Sequence, residues 1–150
     1  MSGASAWFAA LPWMLALGVT AWGVATMKRN AGLVDIFWSL FFLSAVIVFA
    51  TATDAMSDRA HLLTALVVIW SVRLAAYLAR RNWNAPEDHR YRAIRARNEP
   101  GFAWKSIYLV FGLQAVLAWI IAAPLATATT SNTPLGFMDV TGTVAVIFGI

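Results

Sequence analysis

Asp35, Arg73, Tyr77 and Gln114 stand inside long runs of apolar residues, where an ionisable or strongly polar side chain is costly and raises a functional hypothesis by default. Asp35 lies about one turn into its run, and Arg73 and Gln114 about two turns into theirs from the same side, so the three share a depth. Trp70, Arg73, Tyr77 and Arg80 follow the i, i+3, i+7, i+10 spacing of one helical stripe, and Trp38, three residues after Asp35, faces as Asp35 does. Two chemistries suit this set. An Asp35–Arg73 ion pair, with Gln114 adding an interhelical hydrogen bond, would pin helices together, or Arg73 would snorkel to the interface. Alternatively the residues line a pocket with aromatic walls and a proton donor, suited to a flat apolar substrate bearing one carbonyl. A proton relay lacks a second buried acid or His, because His61 and His89 fall at a span end and in a loop. No metal-ligand spacing, nucleophile elbow, phosphate loop or Gly-rich dinucleotide turn occurs.

The elements that position these side chains follow from composition. Of 150 residues, 61% are hydrophobic and 12% charged, with a mean hydropathy of +0.69. Too few charges are present to cover a water-soluble domain, and 13% aromatic residues exclude disorder. The chain has no Cys, so disulfides, thiolate metal sites and Cys nucleophiles are excluded. The expected fold is all-α, a single transmembrane domain built as a polytopic helical bundle. A bilayer core takes about 20 apolar residues per helix, and such runs cover residues 7–26, 34–53, 61–79 and 106–126. Pro12 then falls in the first turns of the first span and Pro124 near the end of the fourth. A fifth run, 140–150, would rise only about 16 Å as a helix. That is short of a hydrocarbon core of about 30 Å, so the sequence reads as the N-terminal part of a longer protein, with the fifth span truncated. The N-terminus lacks the basic n-region of a cleavable signal peptide.

Basic residues alternate between loops. Lys28 and Arg29 follow the first span, and Arg80, Arg81, Arg90, Arg92, Arg95, Arg97 and Lys105 follow the third. The other side carries Arg59 alone, beside Asp54 and Asp58. The positive-inside rule places the N-terminus outside and the loop 80–105 in the cytoplasm. Within that loop, Asn84 as cap, Pro86 in the first turn and Glu87 three residues after the cap predict a short interfacial helix, stopped by Asn98 to Gly101. Tyr91 and Ile94 would lie against the membrane. Its arginines suit anionic lipid headgroups or the phosphates of a nucleotide cofactor. The net charge of +4 and pI of 10.1 are explained by topology, so nucleic acid is not an expected partner.

The strings Gly32-Leu-Val-Asp35-Ile-Phe-Trp38-Ser39, Arg73-Leu-Ala-Ala-Tyr77-Leu-Ala-Arg80-Arg81-Asn82-Trp83 and Pro86-Glu87-Asp88-His89-Arg90-Tyr91 resemble the bacterial membrane proteins of the steroid 5-alpha-reductase-like family. Gln114 and the stretch 119–124 are similar too, and the resemblance covers the N-terminal half of that family's length. It implies a bacterial inner-membrane protein that reduces an enone C=C bond with NADPH, hydride going to the β-carbon while a donor polarises the carbonyl. By the same resemblance Tyr77 is the carbonyl donor and Asp35 the second catalytic residue, the only acid near the place of the reductases' Gln–Glu pair and a turn before it. Arg80, Arg81, Asn82 and Arg90 lie near the cofactor, and Trp38, Trp70, Arg73 and Gln114 line the substrate. Trp38-Ser39 stands where steroid reductases carry a Gln–Glu pair. The family's main cofactor segment, Arg-His-Pro-Asn-Tyr-like, belongs to its C-terminal half. As given, the chain is expected to be inactive by itself. The alternatives are a membrane methyltransferase of the isoprenylcysteine type and a non-catalytic helical membrane protein.

Overall fold

A computed structural model of the chain describes residues 2–53 and 55–149. Asp54, counted above with the acidic loop, and Ile150, the end of the expected fifth run, lie outside the described residues. The described residues are helical with no strand. Helix α1 spans Gly3–Lys28, a 3-10 turn covers Ala31–Leu33, α2 is Val34–Thr51 and α3 is Asp58–Asn82. The short α4, His89–Asn98, precedes a fourth long helix, Phe102–Ile121, made of α5 (Phe102–Ser106), a π-helical stretch (Ile107–Gly112) and α6 (Leu113–Ile121). Then come α7, Ala123–Thr129, and α8, Phe137–Gly149. Four helices are long and apolar enough to cross a membrane, so the chain is an integral membrane protein.

Local chemistry moves several boundaries from those expected. Ser2 accepts the Ser5 N–H and caps α1, which therefore starts before Trp7 and holds Pro12 in its interior. Ser57 caps α3 through Ala60 N and starts it before His61. The fourth span ends at Ile121 rather than at residue 126, because Pro124, with no N–H and a ring that crowds the preceding turn, starts the separate helix α7. The interfacial helix begins after Asp88, whose carboxylate takes the Arg90 N–H, and not after Asn84. Glu87 is drawn off to other partners, described below.

Helix α2 is the centre, packed on α1, α3 and α6. The seam of α1 with α6 and α7 is built mostly from small residues at three- or four-residue spacing. Ala6, Ala10, Met14 and Gly18 on α1 are buried against Ala115, Ala118, Ala122 and Ala126. A Cβ on Gly18 would stand 3.4 Å from the Phe111 carbonyl oxygen, so this seam is close backbone packing of the kind membrane helices use in place of a hydrophobic drive. Trp7 and Trp119 clamp it at one end: the rings stack at 3.9 Å, and each indole N–H donates to the other residue's carbonyl, at 2.8 and 2.9 Å. Trp22 Nε1 donates to Ala103 O, 2.7 Å, at the other end. Between α2 and α3 the seam is again small: Ser39 Oγ donates to Ser71 O at 3.0 Å beside buried Ala75. At the acidic end Arg59 forms a forked ion pair with Asp139 (2.7 and 2.8 Å), tying the start of α8 to α3.

Candidate functional site

The end of the bundle that carries the basic residues is closed by a knot of polar contacts. Helix α1 stops at Arg29, which takes the left-handed region (φ 51). Asn30 follows, with Oδ1 accepting Gly32 N at 3.0 Å and Nδ2 donating to Ala85 O at 3.1 Å. The next free donor, Ala31 N, goes to Glu87 Oε1 at 2.7 Å, and Glu87 also holds Arg95 at 2.8 and 3.0 Å. One residue of the loop thus caps the 3-10 turn and anchors α4. Gly32 leaves little room for a side chain: a Cβ there would lie 3.1 Å from Asn30 Oδ1 and 3.3 Å from the Tyr91 ring, so one of them would have to shift. That close approach lets the buried Tyr91 reach in and donate its hydroxyl to Asp35 Oδ1 at 2.8 Å. Arg90 stands 3.6 Å from the other Asp35 oxygen and donates to Asp88 at 3.1 Å.

Electrostatics follow from these contacts. Burial pushes Glu87 up, but hydrogen bonds from Arg95 and Ala31 N and the Arg95 charge outweigh it and hold the carboxyl below its ordinary 4.5. Asp88 is held low by the backbone N–H and guanidinium of Arg90. Burial, and then the bond to Asp35, raise Tyr91, so its phenol stays protonated and acts as a donor. Beside this knot opens a pocket of about 380 Å³, lined by Asp35, Arg81, Asn82, Asp88 and Arg90 among others. It balances two guanidinium groups against two carboxylates.

A second arrangement runs along α3. Leu63, Leu66, Trp70, Arg73, Tyr77 and Arg80 recur every three or four residues and form one stripe. Its far half borders an apolar groove of about 350 Å³ shared with Leu125 of α7 and Val146 of α8. Its near half, Arg73, Tyr77 and Arg80, is exposed, with Tyr77 58% accessible. Arg81 borders both this half and the polar pocket.

The residues singled out in the sequence therefore separate into groups. Asp35, Arg81, Asn82 and Arg90 come together in the polar pocket. Trp70, Arg73, Tyr77 and Arg80 share the α3 stripe; Trp70 packs on Phe42 of α2, and Arg73, Tyr77 and Arg80 are exposed. Trp38 and Trp70 sandwich Phe42 edge-on at 5.6 and 5.7 Å, so both are packed as well as partly accessible. Gln114 is half-buried on α6. Asp35 does not pair with Arg73; its partners are Tyr91 and Arg90. Tyr91, expected to rest on the membrane surface, is instead the side chain that locks α4 to α2. The signal for this lay in the strings at 32–39 and 86–91, which meet in space through Gly32, Asp35, Asp88 and Tyr91.

No curated protein and no solved structure gives a significant match to the chain. A family model does, over residues 21–150, which includes the whole polar knot, the α3 stripe and both pockets described above. The chain belongs to the family described as "protein of unknown function (DUF1295)".

Proposed function

We propose that the chain supplies the substrate stripe and part of the cofactor rim of a multi-pass membrane oxidoreductase that reduces an enone C=C bond with NADPH, as its likeness to steroid 5-alpha-reductase-like proteins implies. The observation that carries the reading is the α3 stripe, which passes from Leu63, Leu66 and Trp70 beside an apolar groove to Tyr77 and then to Arg80 and Arg81. A flat apolar substrate entering from the bilayer would lie on the first part and bring a carbonyl to the Tyr77 hydroxyl. That hydroxyl makes no hydrogen bond among the described residues, whereas the Tyr91 hydroxyl is committed to Asp35.

The donor set fits the phosphate and ribose chemistry of NADPH through Arg80, Arg81 and Asn82. Arg90 fits it poorly, because Asp88 and Asp35 already neutralise its guanidinium. When bound, the cofactor supplies a hydride for the β-carbon. Tyr77 donates a hydrogen bond to the oxygen that gains charge, Arg73 and Arg80 add positive potential on either side of it, and Trp70 walls the apolar part. Asp35 acts as a positioning residue through Tyr91 and Arg90. The basic rim faces the cytoplasm of a bacterial inner membrane, where NADPH is made available.

The test is NADPH consumption with an enone by the protein expressed from its complete reading frame and placed in liposomes. Tyr77→Phe should lower turnover about 10²–10³-fold with an unchanged melting temperature. Arg81→Gln should raise KM for NADPH. Wild-type turnover in Tyr77→Phe removes Tyr77 from the mechanism. Saturable binding of S-adenosylmethionine in place of NADPH would transfer the site to a methyltransferase.

A further inference from the structure

A cavity of about 490 Å³ lies between the end of α1 and the start of the fourth long helix, distinct from the polar pocket and the α3 stripe and sharing Ala31 and Arg95 with the polar knot. Its floor is apolar, with Ala31, Phe102 and Phe111, all buried. Its rim carries Arg29 and Arg95. Arg95 is rigid: Glu87 holds it by two bonds, it lies 4.6 Å over the Phe102 ring, and Nη2 reaches Arg29 O at 3.4 Å. Arg29 is exposed, takes a left-handed backbone that a glycine would adopt more easily, and has no carboxylate partner among the described residues. Arg95 being balanced by Glu87, Arg29 is the uncompensated cation. Trp22 and Trp104, 5.2 Å apart, stand beside the cavity as interfacial anchors do, at the ends of two membrane-crossing helices.

We propose that this cavity binds an anionic glycerophospholipid, the phosphate on Arg29 and the free N–H groups of Arg95, and the glycerol and upper acyl carbons on the Phe102–Phe111 floor. A guanidinium pair over an apolar floor at headgroup depth matches the chemistry of that molecule end to end. The inference is independent of the reductase reading.

The experiment follows the melting of the detergent-purified chain by tryptophan fluorescence while phosphatidylglycerol, phosphatidylcholine or inorganic phosphate is added. Phosphatidylglycerol should raise the melting temperature saturably, and the other two should not. Arg29→Gln should raise the half-saturating lipid concentration about tenfold. Arg97→Gln, an equal charge loss on the exposed side of α4, should leave it unchanged. Ala103→Trp, which fills the cavity from its rim without removing charge, should abolish the effect. Equal weakening by Arg29→Gln and Arg97→Gln, an equal response to phosphatidylcholine or inorganic phosphate, or full binding by Ala103→Trp would each overturn the proposal.

Discussion

Tyr91 and Tyr77 are the same residue type in opposite circumstances, and their substitutions should separate. Tyr91→Phe removes a donor to a half-buried carboxylate, a bond of the class worth about 1.5–3 kcal/mol. It should lower the melting temperature in detergent, where Tyr77→Phe, a change at a residue that is 58% exposed, should not. Glu87 sets a pH limit on the same knot. Its carboxyl is held below its ordinary 4.5, so its contribution to the fold is complete above pH 4.5 and is lost as pH falls through the lowered value. Asp88 acts in the same direction. Protease cleavage in the loop 80–105 should therefore accelerate as the solution is made more acidic than pH 4.5, and Glu87→Gln should show the faster cleavage already at neutral pH.

At the scale of elements, the sequence announced lengths and faces better than contacts. Apolar runs of about 20 residues had to become spanning helices, because no other backbone arrangement satisfies itself in hydrocarbon. The small residues of the seam recur at three- or four-residue spacing on α1 and from Ala115 to Ala126, a weaker signal than the apolar runs. The reciprocal clamp of Trp7 and Trp119 was not legible, since 112 residues separate the partners. Trp7→Phe should cost about 1–2 kcal/mol in thermal stability, through one lost indole bond and poorer stacking. Trp7→Phe combined with Trp119→Phe should cost less than the sum of the two alone, because each change already disrupts the shared stack.

For the molecule as a whole, the charge distribution is the statement with the widest reach. Basic residues gather at one end, around α4 and its flanks, and the ion pair of Arg59 with Asp139 closes the other. The absence of Cys makes the sidedness easy to measure. Asn84→Cys, at the exposed basic end, should react with a membrane-impermeant maleimide only in inverted vesicles. Thr133→Cys, exposed at the opposite end, should react in intact cells. Labelling of both from one side would refute the alternating topology. Reversal of the two would place the basic rim, and with it the proposed cofactor site, outside the cytoplasm.

By itself the sequence determined the number of long spans and the stripe on α3, because hydrocarbon thickness and the helical repeat leave no freedom in these. Only the tertiary structure decided which way that stripe turns. Ser71 and Ala75 are buried small side chains on α3, and α2 packs against them there, with Ser39 bonded to the Ser71 carbonyl at 3.0 Å. Arg73, two positions on and about 200° around the helix, must then point away from α2. Asp35 and Arg73 share a depth yet cannot meet, and Asp35 takes its partners from a loop some 55 residues later in the chain. Depth is fixed by one-dimensional spacing. Rotation about the helix axis is fixed by which faces can pack closely, and that depends on every neighbour at once.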